Sequence, residues 1–147
     1  MKYIDIITLK LKYTFIVRKI FLLTLIIFLI LSSYFYNQNK QEVIKYEIEG
    51  QTFELLAADS EDEWVAGLMN VRELDNADGM MFIFPDKQKR TFWNKDTFVD
   101  LDVYWILDDK VVGRDFLPSI EKSNGFVYIS SPVSVNKVAE IIKQTNN

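Results

Sequence analysis

Six side chains able to do chemistry crowd into one short stretch of the chain: Trp93, Lys95, Asp96, Thr97, Asp100 and Asp102. An indole flanked by carboxylates and a hydroxyl is a surface that stacks on a sugar ring and hydrogen-bonds its hydroxyls. If residues 91–95 form a strand, side chains alternate, so Trp93 and Lys95 project one way and Asn94 and Asp96 the other. The plainer assignment puts Trp93 in the core, pairs Lys95 with an acid, and uses Asp96 and Thr97 to close a turn. Asp102 stands inside an apolar run. An unpaired carboxylate buried there costs several kcal/mol or takes up a proton, so its expected partner is Lys95, Arg72 or backbone N–H groups. The candidate ligand-binding residues are therefore Trp93, Lys95, Asp96, Thr97, Asp102 and Arg72, with no catalytic residue and no metal ligand assigned.

Composition limits what such a cluster can do. The chain has no cysteine and no histidine, which removes thiolate nucleophiles, cysteine or histidine zinc sites, and histidine-based triads. Carboxylate chemistry is left, and Asp96 with Asp102 is the pair a glycoside hydrolase would need, at about 5–10 Å separation. Asp96, Asp100 and Asp102 also offer oxygens to Ca²⁺, but without the glycine and terminal glutamate of a calcium loop. Met69, Met80 and Met81 could suit a soft metal, yet all lie in apolar patterns that read as core. No cofactor is expected.

The elements that must position the cluster begin with a membrane anchor. Residues 20–39 contain no charge, and 20–31 are Leu, Ile and Phe except for Thr24. A helix of that length spans the roughly 30 Å hydrocarbon layer. The 1–19 leader carries Lys2, Lys10, Lys12, Arg18 and Lys19 against Asp5 alone, so the positive-inside rule leaves the N-terminus cytoplasmic and the rest of the chain extracytoplasmic. A cleaved signal peptide is the rival, but Ser32 and Ser33 run into bulky Tyr34-Phe35-Tyr36, unlike a small-residue cleavage site. The leader itself, interrupted by Asp5, Lys10 and Lys12, reads as interfacial or loosely helical. The net charge of -4 therefore conceals a basic leader and an acidic remainder, which argues against nucleic acid as a partner.

Residues 40–147 read as one mainly β domain, a compact β-sandwich or barrel with one short helix. Residues 43–48 and 51–57 form a hairpin around Glu49-Gly50. Asp59 or Ser60 caps a helix over 61–70 that turns Trp64, Leu68 and Val71 inward. Residues 80–84, apolar on both faces, form a central strand ended by Pro85. Residues 91–95 and 101–107 are further strands, the second turning at Asp108-Asp109-Lys110 into Val111-Val112. Asn124-Gly125 precedes another over 126–130, and 133–142 is open between strand and helix. About seven short strands with one early helix fit a sandwich or barrel better than repeated βαβ units.

Three stretches in this order carry a family resemblance: Gly67-Leu68-Met69 leading to Arg72 and Leu74; Gly79-Met80-Met81-Phe82-Ile83-Phe84-Pro85; and Phe92-Trp93-Asn94-Lys95-Asp96-Thr97 running into Leu101-Asp102-Val103. Together they resemble domain-of-unknown-function family 192, small bacterial and archaeal proteins often exported or anchored, over residues 53–141. The resemblance implies a compact β-sandwich or barrel and an envelope location, and no activity. This chain carries Asn94, Asp96 and Asp100 where the family pattern favours Met, Asn and Pro, and it stops soon after the strand matched by 137–141, where family members usually continue. The leading expectation is a non-catalytic binding or envelope-associated module for a small ligand or glycan. Its alternatives are a carboxylate-dependent hydrolase and a structural partner of another membrane protein, the latter marked by an apolar patch beside an incomplete last strand.

Overall fold

A computed structural model describes residues 2–38 and 41–143, with side-chain environments for 13–33 and 41–143. The chain divides into two compact units, Met1–Lys40 and Gln41–Asn147.

The first unit is one helix, α1, over Lys2–Gln38. The leader is therefore not a separate loosely helical segment: it has no Pro or Gly to break the helix, and Leu, Ile and Lys propagate it well enough. The stretch long and apolar enough to cross a membrane is Tyr13–Ser33, with mean hydropathy 2.5 and every side chain exposed. It begins seven positions before residue 20 and includes Arg18 and Lys19. Such a helix is either a membrane span or a signal sequence. Asn39, the last position of the expected anchor, lies outside the described residues.

The second unit is mainly β. Its strands are β1 (Val43–Ile48), β2 (Gln51–Ala58), β3 (Gly79–Gln88), β4 (Thr91–Trp93), β5 (Leu101–Leu107), β6 (Lys110–Leu117), β7 (Tyr128–Ser130) and β8 (Val135–Ile142), with helix α2 at Glu61–Ala66. Six strands form one sheet in the order β1-β2-β3-β8-β5-β6, and β4 with β7 forms a separate two-stranded ribbon. The sheet is antiparallel except for β2 and β3, which run parallel through α2. One βαβ crossover thus sits inside an otherwise antiparallel fold.

Local chemistry explains much of this. Glu49 and Gly50 take positive φ in the first hairpin, and Asp108 and Asp109 do so in the two-residue turn between β5 and β6, the backbone that tight hairpins require. At α2 the Glu63 carboxylate accepts the Ser60 N–H and Oγ–H at 3.1 and 2.8 Å and the Asp59 N–H at 3.0 Å. The Ser60 hydroxyl first, then the Asp59 N–H, hold Glu63 below its ordinary pKa. The helix stops at Ala66 rather than running to residue 70, because Gly67 turns to positive φ. Leu68 and Val71 still reach the core from the loop beyond. Pro85 does not end β3. It falls in the irregular stretch between Ile83 and Gln88, where its missing N–H costs no ladder bond.

Residues 135–142, open between helix and strand in the sequence, form β8, paired to β3 on one side and β5 on the other. This strand is thus central in the sheet. Apolar residues on both faces of β3, β5 and β8 build two cores. One contains Leu68, Met80, Phe82, Leu101, Val103, Trp105 and Val138, and the other Ile48, Phe53, Leu55, Met81, Tyr104, Ile106 and Ala139. The sheet curls around the second core. Its edge strand β1 reaches the β5–β6 turn, where the Tyr46 hydroxyl donates to Asp109 at 3.0 Å. Burial foremost, with Asp109 adding to it, pushes the Tyr46 phenol up to about 12.

Candidate functional site

The ribbon lies over the first core. Phe92 of β4 packs edge-on against Phe82 at 4.8 Å and Trp105 at 5.7 Å, and Ile129 of β7 joins the same core. Because side chains alternate along a strand, burying Phe92 and its cross-strand partner Ile129 turns Thr91, Trp93, Tyr128 and Ser130 outward. On that outer face the Trp93 ring lies 5.8 Å from Tyr128 and 5.6 Å from Phe126. All three rings meet solvent: Trp93 is 38% exposed, Phe126 56% and Tyr128 59%. The Thr91 and Ser130 hydroxyls share a hydrogen bond at 2.8 Å beside them, and the Lys95 ammonium sits 5.3 Å from the Trp93 ring centre.

Asn94 holds this platform together. Strand β4 ends at Trp93, so Asn94 does not continue an alternating face with Asp96; it is fully buried. Its Nδ2 donates to the Pro118 carbonyl at 3.0 Å and to the Ser123 hydroxyl at 2.7 Å, and its Oδ1 accepts the Val127 N–H at 2.8 Å. These bonds tie the 118–127 segment to the end of β4 and bring Phe126 to Trp93.

The remaining residues of the expected cluster are dispersed. Thr97 is buried in the turn after β4, its hydroxyl donating to the Lys95 carbonyl at 3.2 Å. Asp96 takes φ 51 in that turn, and its backbone carbonyl accepts the Asn70 N–H at 2.7 Å. Asp102 belongs elsewhere. Leu101, Val103 and Trp105 face the ribbon side, so Asp102 and Tyr104 face the opposite side of the sheet. The expected partners Lys95 and Arg72 are not used: Asp102 pairs with Arg114 at 2.9 Å, whose guanidinium also lies 4.9 Å from the Tyr104 ring. Asp96 and Asp102 are therefore on different faces of the sheet and form no acid–base pair. Met80 and Met81 are core residues on opposite faces, not a joint ligand set.

Arg72 is also apart from the ribbon. It stacks on Phe98 at 4.2 Å, pairs with Glu121 at 3.0 Å, and lines a cleft of about 740 Å³ between the 72–78 and 119–122 loops. In the cleft wall Asp100 accepts the Lys122 ammonium at 2.6 Å and the Ser119 N–H at 2.9 Å. Burial works to raise the Asp100 pKa, but Lys122 and Ser119 together outweigh it and hold the carboxyl below its usual range. Among the described residues no cluster of three or more acidic side chains is arranged to hold a metal ion.

Sequence reasoning named Trp93 and Lys95 but missed Phe126, Tyr128, Asn94 and the buried Glu140. The alternation of Tyr128 with Ile129 was available; the pairing of β7 with β4 has no local signal.

No curated protein matches the chain. In fold it is similar to a Sinorhizobium meliloti 1021 protein described as a "putative transcription regulator", at 26% identity and TM-score 0.53, covering 68% of this chain and 78% of that one. It is also similar to a Novosphingobium aromaticivorans protein of unknown function, at 24% identity and TM-score 0.56, covering 68% of this chain and 71% of that one. The second likeness bears on fold alone. The family model described as DUF192, "Uncharacterized ACR", matches residues 44–141, and the chain belongs to that family.

Proposed function

We propose that this protein is a membrane-tethered, extracytoplasmic, non-catalytic binding domain that takes a saccharide on the outer face of the β4–β7 ribbon. The observation that carries this reading is the exposed set of Trp93, Phe126 and Tyr128 beside the Thr91 and Ser130 hydroxyls. Flat apolar rings bordered by hydroxyls match the apolar face and equatorial hydroxyls of a pyranose. The hydrolase alternative loses its acid–base pair, since Asp96 and Asp102 lie on different faces of the sheet. The regulator description of the Sinorhizobium neighbour gains no support from charge. The chain from residue 41 on is acidic, without the basic surplus that DNA phosphates require.

Trp93 supplies its own reporter. Of the chain's three tryptophans, Trp105 is fully buried and Trp64 is half-buried with its Nε1–H bonded to the Ala58 carbonyl. Titrating the detergent-solubilised chain with envelope oligosaccharides should shift Trp93 emission, and Trp93→Ala should weaken binding about tenfold or more. Unchanged emission across the panel would defeat the reading. For the tether, the positive flank of α1 supports a cytoplasmic N-terminus. Alkaline extraction should leave the full-length chain in the membrane pellet, with the domain open to protease added from outside. Recovery of intact chain in the cytosolic fraction contradicts this.

A further inference from the structure

We propose that the aromatic platform selects a saccharide bearing a carboxylate, recognised by the Lys95 ammonium; this rests on the saccharide-binding reading above. Lysines 45, 87, 122 and 137 each pair with an acid. Lys95, like Lys89, Lys110 and Lys143, has no carboxylate partner among the described residues, and of these four it is the one beside the Trp93, Phe126 and Tyr128 rings. Its ammonium instead lies over the Trp93 ring, 5.3 Å from the ring centre, so a sugar that takes its place on the indole face meets the displaced charge at its ring substituents.

The type of anion follows from the donor. A single lysine presents one compact point charge, which offsets a monoanion, whereas the double charge of a phosphate monoester calls for several donors together. The arginines of the domain are engaged elsewhere: Arg72, apart from the ribbon, with Glu121, Arg90 with Asp86 and over the Phe84 ring, and Arg114 with Asp102. Asp96, exposed and next in the chain, adds a nearby negative charge that works against any anion and most against a dianion. One monovalent carboxylate is therefore the best match.

Matched ligands test this on the full chain in detergent. Oligomers of galacturonate and glucuronate are titrated against their methyl esters, which keep the ring and remove the charge, with a sulfated oligosaccharide in parallel. The acids should bind about fivefold tighter than the esters at low salt, an advantage lost as salt is raised. Lys95→Gln should abolish that advantage while leaving ester binding intact, and Asp96→Asn should strengthen binding of the acids alone. If acids and esters bind equally and Trp93→Ala removes both, the platform stands and the carboxylate selection fails. Tighter binding of the sulfated ligand also overturns the selection. If no saccharide binds, or cross-links from the Trp93 position trap a protein or lipid instead, both readings fall.

Discussion

Replacing Glu140 by Gln should raise the melting temperature at pH 9 by about 10 °C or more and change it little at pH 5. Glu140 lies in the central strand β8, between Met80 of β3 and Val103 of β5, with 4% of its surface exposed. On its own strand Val138 and Ile142 share its face, and no described residue gives its carboxyl a hydrogen bond or an ion pair. Burial alone pushes that carboxyl up from 4.5 to about 8. The folded state therefore keeps a proton that the unfolded chain releases, and stability is lost as pH rises between these values. Above the folded value the cost is complete, roughly 3–5 kcal/mol. Glutamine keeps the shape without titrating, so the variant's melting profile should be flat over this window while that of the parent falls. Parallel profiles for the two proteins would remove the buried carboxyl from the account.

Asn94→Ala should cost about 3 kcal/mol or more and loosen the platform before the sheet. The substitution deletes three bonds of a fully buried side chain and leaves the Pro118 carbonyl and the Val127 N–H without their side-chain partner. Asn94→Asp should be no milder, because an acceptor-only carboxylate then faces the Pro118 carbonyl. Urea unfolding gives the loss. Amide exchange should place the first opening at residues 118–127, with faster exchange there than in β3, β5 or β8. An unchanged urea midpoint together with unchanged protection of 118–127 would show that Asn94 does not organise the ribbon. Saccharide binding should weaken with it, since Phe126 reaches Trp93 only through this segment.

These two residues mark the limit of what could be read in advance. Glu140 sits in a run that looks like any alternating segment until β8 is seen between two other strands. A strand over 91–95 puts Asn94 on one face with Asp96, whereas β4 ends at Trp93 and of the two only Asn94 is buried. The separation of Asp102 from Trp93 was likewise hidden: which face of β5 meets the ribbon depends on where β4 and β7 dock.

The sequence by itself determined the features governed by neighbours along the chain. These are the long apolar helix, the hairpins whose turn residues accept positive φ, the Ser60–Glu63 cap, and the mainly β class of the domain. Tertiary structure alone decided the parallel β2–β3 crossover, the insertion of β8 between β3 and β5, the pairing of Asp102 with Arg114, and the gathering of Trp93, Phe126 and Tyr128 on one ribbon. The reason is physical: helix periodicity, caps and tight turns are set within a few residues, whereas strand order and face depend on contacts between segments far apart in the chain, whose loop closure leaves no local trace.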